Sequence, residues 1–107
     1  MIEAVFYRKH DLLRGFSVSG HSGYAESGSD IVCAAVSSAV QLTCNTITDF
    51  FGSAAEAEVN ENEITLKLTD SCGPDECTEQ LLSALVDHLE NISQEYKGTI
   101  SITITEV

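Results

Sequence analysis

Glu63-Ile64-Thr65-Leu66-Lys67-Leu68-Thr69 alternates polar and apolar side chains without a break. Successive side chains of a strand point to opposite faces, so this run offers one face to a core and the other to water. The pattern returns at residues 99–105, where Ile100, Ile102 and Ile104 alternate with serine and threonine. One-faced strands belong to a sheet covered by helices on a single side, and that sets the number of layers at two.

Asn60-Glu61-Asn62 is a turn, and residues 57–60 before it pair with the quoted strand as a hairpin. Residues 2–7 and 12–19 are rich in β-branched and aromatic side chains and flank the polar turn Arg8-Lys9-His10-Asp11, which gives a further antiparallel hairpin. Gly15 inside it marks a bulge or an edge. Between the hairpins, Val32, Val36, Val40, Ile47 and Phe51 recur near helical spacing, and Gly52 is the stop of a helix over residues 30–51. Gly73-Pro74-Asp75-Glu76 opens a second helix whose apolar stripe is Leu81, Leu85, Leu89, Ile92 and Tyr96, and Lys97-Gly98 closes it. The expected order is ββαββαβ. This is an α+β two-layer sandwich, a mostly antiparallel five-stranded sheet with two helices, forming one domain over residues 1–107; its uncovered face meets water or a second subunit.

A chain of 107 residues, 43% hydrophobic and 21% charged with one proline, can bury a core without metal or disulfide staples. Its first ten residues carry no long apolar segment behind a basic start, so neither a signal peptide nor a membrane span is expected and a cytoplasmic location follows. The four cysteines then read as thiols in a reducing compartment. Cys33 and Cys44, if on one helix, stand about 16 Å apart along its axis, beyond disulfide reach. Seventeen acidic residues against five basic ones give a net charge of −12, which disfavours nucleic acid and anionic membrane as partners. The acidity serves solubility or attracts basic partners.

The chemistry gathers around residues 20–29, a glycine- and serine-rich connector expected to be mobile. His21 falls just past the second strand, while Asp30 or Ser29 caps the first helix and puts Cys33 in its first turn. The positive end of the helix dipole favours a thiolate there, and a neighbouring imidazolium favours it further; Asp30 opposes both where its charge lies near the sulfur. A thiolate with a histidine meets the minimal requirement of a cysteine peptidase, and backbone N–H groups around Cys33 are candidate donors to the oxyanion. Ala34 and Ala35 leave room for a substrate chain, and Ser37 lies one turn on, on the cysteine's side of the helix. Asp30, Glu26 and a backbone carbonyl are alternatives for orienting His21.

Against this stand plainer readings: Cys33 as a small buried hydrophobe, His21 as a solvated loop residue and the loop as a connector. The loop lacks the Gly-Lys-Ser/Thr ending of a P-loop, which disfavours phosphate. Cys72 and Cys77 have metal-like spacing but no second ligand pair, so structural thiols are expected and no metal is assigned. Cys44 reads as packing, His10 as a turn residue, His88 as a boundary histidine, and the acids from Glu56 to Glu63 as a solvated edge.

Gly20-His21-Ser22-Gly23-Tyr24-Ala25-Glu26-Ser27-Gly28-Ser29-Asp30-Ile31-Val32-Cys33-Ala34-Ala35-Val36-Ser37 resembles the signature of the ribosomal-processing cysteine protease family, Prp, a Gly-His element followed by Gly-x-Asp-Ile-Val-Cys-Ala-Ala-x-Ser. The resemblance implies that His21 and Cys33 are the catalytic pair and that Gly20, Asp30 and Ser37 support the site. It implies removal of a short N-terminal extension from a basic large-subunit ribosomal protein, cut after a pair of aromatic residues, by a cytoplasmic homodimer without metal or organic cofactor. Alternatives of other classes are a non-enzymatic ribosome-assembly factor holding a basic protein and a redox sensor built on Cys33, although no resolving cysteine is close in sequence.

Overall fold

The computed structural model describes residues 1–26, 30–69 and 76–107. Five strands form a single sheet in the order β3-β4-β2-β1-β5: β1 (Ile2–Lys9), β2 (Leu12–Ser19), β3 (Ala55–Val59), β4 (Glu63–Leu68) and β5 (Ile100–Glu106). Three pairings are antiparallel, and β5 alone runs parallel to its neighbour β1. With the helices between, the order is the ββαββαβ expected, in an α+β fold.

Register explains the one-faced strands. Ile102, Ala4, Val18 and Ile64 stand side by side across β5, β1, β2 and β4, and Ile104, Phe6, Phe16 and Leu66 form the next row. The rings of Phe6 and Phe16 are 5.9 Å apart and tilted by 52°, a favourable aromatic arrangement at the centre of the core. The β1–β2 turn is tighter than its polar sequence implies. Only His10 and Asp11 lie outside the strands, both left-handed at φ 53° and 63°, as two-residue hairpins matching strand twist require.

Gly15 marks a bulge rather than an edge. Tyr7 faces Gly15 while Arg8 faces Leu13, so Arg14 is the extra residue, and Leu13 joins Phe16 among the buried side chains. Strand β2 is the middle of the sheet, and a Cβ on residue 15 would run into the backbone carbonyl of Leu66.

Helix α1 (Ile31–Asn45) buries Val32, Val36, Val40 and Cys44, an i, i+4 row, against the sheet. It continues as a π-helical turn (Thr46–Phe50) instead of running unbroken to Phe51. Hydroxyls of Thr43, Thr46 and Thr48 donate to the carbonyls four residues earlier, which loosens the ladder, and the Phe51 N–H reaches back to the Thr46 carbonyl at 2.8 Å. The wider turn keeps Ile47 in the core and rotates Phe51, expected in the apolar stripe, to an exposed position. Gly52 (φ 66°) then ends the helix, with the Ser53 N–H on the Ile47 carbonyl at 3.0 Å. By length and composition alone Ile31–Phe50, 20 residues at mean hydropathy 1.4, would pass for a membrane-crossing helix. Its buried row is that of a core helix.

Helix α2 (Glu76–Glu95) keeps the expected stripe with one exchange at its first turns: Leu85 and Leu89 are buried as expected, Leu82 and Thr78 are buried where Leu81 was expected, and Leu81, Ile92 and Tyr96 pack at the margin of the core. It covers the beginning of β5 and leaves the end bare, so Ile100 is buried, Ile102 half-buried and Ile104 exposed. The acids Glu56 and Glu58 line the outermost strand β3, where charge discourages pairing with other chains. The expected helix opening at Gly73-Pro74-Asp75, Cys72, and the loop residues Ser27, Gly28 and Ser29 lie outside the described residues.

Candidate active site

Asp30 caps α1. Its backbone is extended (φ −83°, ψ 101°), and its Oδ1 accepts the N–H groups of Val32 and Cys33, each at 3.0 Å. The other carboxylate oxygen accepts the Ser22 hydroxyl and, at 3.4 Å, the Ala25 N–H. The Ser22 hydroxyl in turn accepts the Tyr24 N–H at 3.1 Å. These donors hold the Asp30 carboxyl down at about 2, the Ser22 hydroxyl contributing most and burial opposing it, with the Cys33 and Ala25 N–H groups and the Cys33 side chain adding to the depression. With both oxygens engaged, Asp30 is the anchor of the helix start and the Ser22 arm.

That anchoring changes which donors serve the sulfur. The Cys33 N–H, offered by the sequence as an oxyanion donor, is committed to Asp30, and the Ala34 N–H to the Asp30 carbonyl. The N–H that reaches Cys33 Sγ comes from across the loop, from Ser22 at 3.2 Å. His21 immediately precedes Ser22, so covalent geometry puts its Cα within about 6 Å of the sulfur. An imidazole can span that gap. His21 is exposed and Cys33 half-buried.

Gly20 makes the turn that brings this arm over. Its φ of 88° is left-handed, and a Cβ there would sit 2.8 Å from the Met1 carbonyl oxygen, so no other residue fits. Its N–H donates to the Asn62 carbonyl at 3.3 Å, which fastens the arm to the β3–β4 turn. Further along, the ring of Tyr24 meets that of Tyr96 edge to face at 5.2 Å and ties the loop to the end of α2.

Cys33 opens onto a pocket of about 150 Å³. Val18, Val36, Val40 and Ile64 make its apolar side, while Ser37 and Gln41 of α1 and Asn60 to Glu63 of the β3–β4 turn make its polar rim. Ser37 is thus beside Cys33 in the pocket as the helix spacing requires. Gln41, a further turn along at the same i+4 interval, was legible by that spacing and went unread. Asn60 and Asn62 had no local signal; only sheet topology brings their turn to the site. Cys44 is away from it, buried, and burial pushes its thiol up to about 11. Cys77 and His88 are exposed on α2, and His10 is in its turn. Among the described residues no group of three or more His, Cys, Asp or Glu side chains converges as a metal site would.

Residues 1–101 match the family model of the cysteine protease Prp. The ribosomal processing cysteine protease Prp of Bacillus subtilis (strain 168) is 28% identical over 108 residues, covering 96% of each chain. A crystal structure from Streptococcus mutans, 25% identical, superposes with a TM-score of 0.86 over 100% of this chain and 96% of that one. The essential ribosomal processing protease Prp of S. aureus, solved with a covalently linked product peptide, shares the fold at 19% identity, with a TM-score of 0.88 over 98% of this chain and all of its own. The family match runs from β1 into β5 and so takes in the helix start, the Gly20 arm and the β3–β4 turn together; the chain belongs to the cysteine protease Prp family.

Proposed function

We propose that this cysteine protease removes the N-terminal extension of a large-subunit ribosomal protein, with Cys33 as nucleophile and His21 as general base and acid. The observation that supports the reading is the hydrogen bond from the Ser22 N–H to Cys33 Sγ, which brings the backbone of the neighbouring His21 close to the sulfur, beside a pocket with one apolar side. His21 takes the thiol proton as sulfur attacks the scissile carbonyl, then gives that proton to the departing amine, leaving a thioester. Water, deprotonated by the same imidazole, attacks the thioester carbonyl, and the thiol leaves with the proton. Gly20, Asp30 and Ser37 act around this pair: Gly20 turns the arm, Asp30 fixes helix start and arm, and Ser37 lines the pocket.

The pocket's size supports an aromatic residue before the cut. At about 150 Å³, with Val18, Val36, Val40 and Ile64 on one side and a polar rim open to solvent, it has room for one ring-sized side chain. The net charge of −12 favours encounter with a basic ribosomal protein. The S. aureus relative was also solved with a substrate peptide, consistent with a peptide as ligand of this fold. We place the enzyme in the cytoplasm, where thiols stay reduced, as a homodimer acting on protein alone, with neither nucleic acid nor membrane as partner.

The test mixes purified protein with the extended ribosomal protein and follows the substrate by mass. Loss of the extension with wild type, and none with Cys33→Ala or His21→Ala, is the expected outcome. Undiminished cleavage by Cys33→Ala overturns the assignment, and full biological function of that variant points instead to a non-enzymatic assembly role. Sedimentation at several concentrations checks the homodimer.

A further inference from the structure

We infer that Asn60 is a positioning residue for His21, acting through the β3–β4 turn that also walls the peptide pocket. The inference rests on the reading of His21 as the base. Asn60 folds its own turn: its side-chain Oδ1 accepts the N–H groups of Asn62 at 3.1 Å and Glu63 at 2.9 Å, while its N–H donates to the Glu63 carbonyl at 3.0 Å. An asparagine oxygen reaching the backbone two residues on replaces a turn of main chain, which is why this residue type suits the place.

What distinguishes the turn from an ordinary one is the destination of its next carbonyl. The Asn62 carbonyl accepts the Gly20 N–H at 3.3 Å. On the other side of His21, the Ser22 N–H is on the nucleophile at 3.2 Å. His21 is therefore flanked by two main-chain N–H groups that are both engaged, that of Gly20 on the Asn62 carbonyl and that of Ser22 on the Cys33 sulfur. Asn60 and Asn62 also border the pocket on which Cys33 and Ser37 open. A peptide side chain seated there presses on the same turn that sets the histidine arm, so pocket occupancy and placement of the base are linked.

The test compares wild type, Asn60→Ala, Asn60→Gln, Asn60→Asp and His21→Ala by two measurements. Alkylation of Cys33 by iodoacetamide across pH reports on the histidine without any peptide; kcat and KM for the extended ribosomal protein report on both roles. In Asn60→Ala the alkylation profile moves toward that of His21→Ala, kcat falls roughly ten- to a hundredfold, as misplacement of a catalytic group by about 1 Å entails, and KM rises. Asn60→Gln, whose oxygen is one methylene too far, behaves like Asn60→Ala and serves in its place should that variant not fold. Asn60→Asp keeps the acceptor oxygen and restores kcat to well above that of Asn60→Ala. Folded Asn60→Ala or Asn60→Gln with a wild-type alkylation profile and kcat overturns the inference, even where thermal stability drops. The two readings fail separately: unchanged cleavage in His21→Ala removes the base assignment and this inference with it, whereas loss in His21→Ala with no effect at Asn60 removes this inference alone.

Discussion

Asp30 is the residue on which the site turns, because one carboxylate holds both the helix carrying Cys33 and the arm carrying His21. Its folded value of about 2 lies below the 3.8 of a free aspartate, so the charged form is favoured by folding. The sign follows: this contribution to stability is fully present above about pH 4 and is lost as pH falls toward 2. Melting temperature measured from pH 6 to pH 2 should fall more gently in Asp30→Asn than in wild type, and the variant should already melt lower at neutral pH. Cleavage by it should drop at least roughly tenfold, because the Ser22 arm loses its charged acceptor. A capped helix start with Cys33 in its first turn could be read in sequence, since helix-start chemistry constrains residue type locally. Ser22 could not, because its hydroxyl and N–H act on residues eight and eleven positions away.

At the scale of elements, alternation and helical spacing located every strand and both helices, while phase within them was decided by neighbours. Leu81 and Leu82 are adjacent leucines, and either phasing satisfies a 3.6-residue period. Packing on the sheet buries Leu82. Phe51 likewise follows the spacing of α1, but a π turn with one back-bonding threonine before it and two within it carries it out of the stripe. The β1–β2 turn offers a prediction of this scale. Left-handed backbone costs an L-residue about 1–2 kcal/mol, and although histidine and aspartate are among the side chains that tolerate it, the pair Asn-Gly accepts it at lower cost. The double substitution His10→Asn with Asp11→Gly should stabilise by about 1 kcal/mol, a rise of about 4–8 °C in Tm by calorimetry, with activity unchanged.

For the molecule as a whole, the decisive quantity is charge. Seventeen acids against five bases make a field that acts on a basic protein before contact, and salt screens it with a Debye length of about 8 Å at physiological ionic strength. Raising salt from low to physiological and beyond should increase KM for the extended ribosomal protein several-fold and leave kcat nearly constant; a short neutral peptide spanning the cut should show little salt dependence. A salt-independent KM for the whole protein would remove the electrostatic part of the proposal. The two-layer architecture serves the same end, since α1 is packed on the sheet along one side and presents Cys33 at its start beside the β3–β4 turn.

Local physics reaches as far as a residue's own element. Alternation in Glu63 to Thr69 and the first-turn position of Cys33 are each set by neighbours a few residues away, and the sequence by itself determined them; the choice of Asp30 over Ser29 as the cap came with the structure. The parallel seat of β5 beside β1, the approach of Gly15 to Leu66, and the turn of Asn60 closing on the Gly20 arm join segments that no period or motif connects. Only the tertiary structure decided those, because they depend on which strands become neighbours in the sheet. The pocket beside Cys33 depends on the same pairing, since one wall comes from the helix and the other from the β3–β4 hairpin further along the chain.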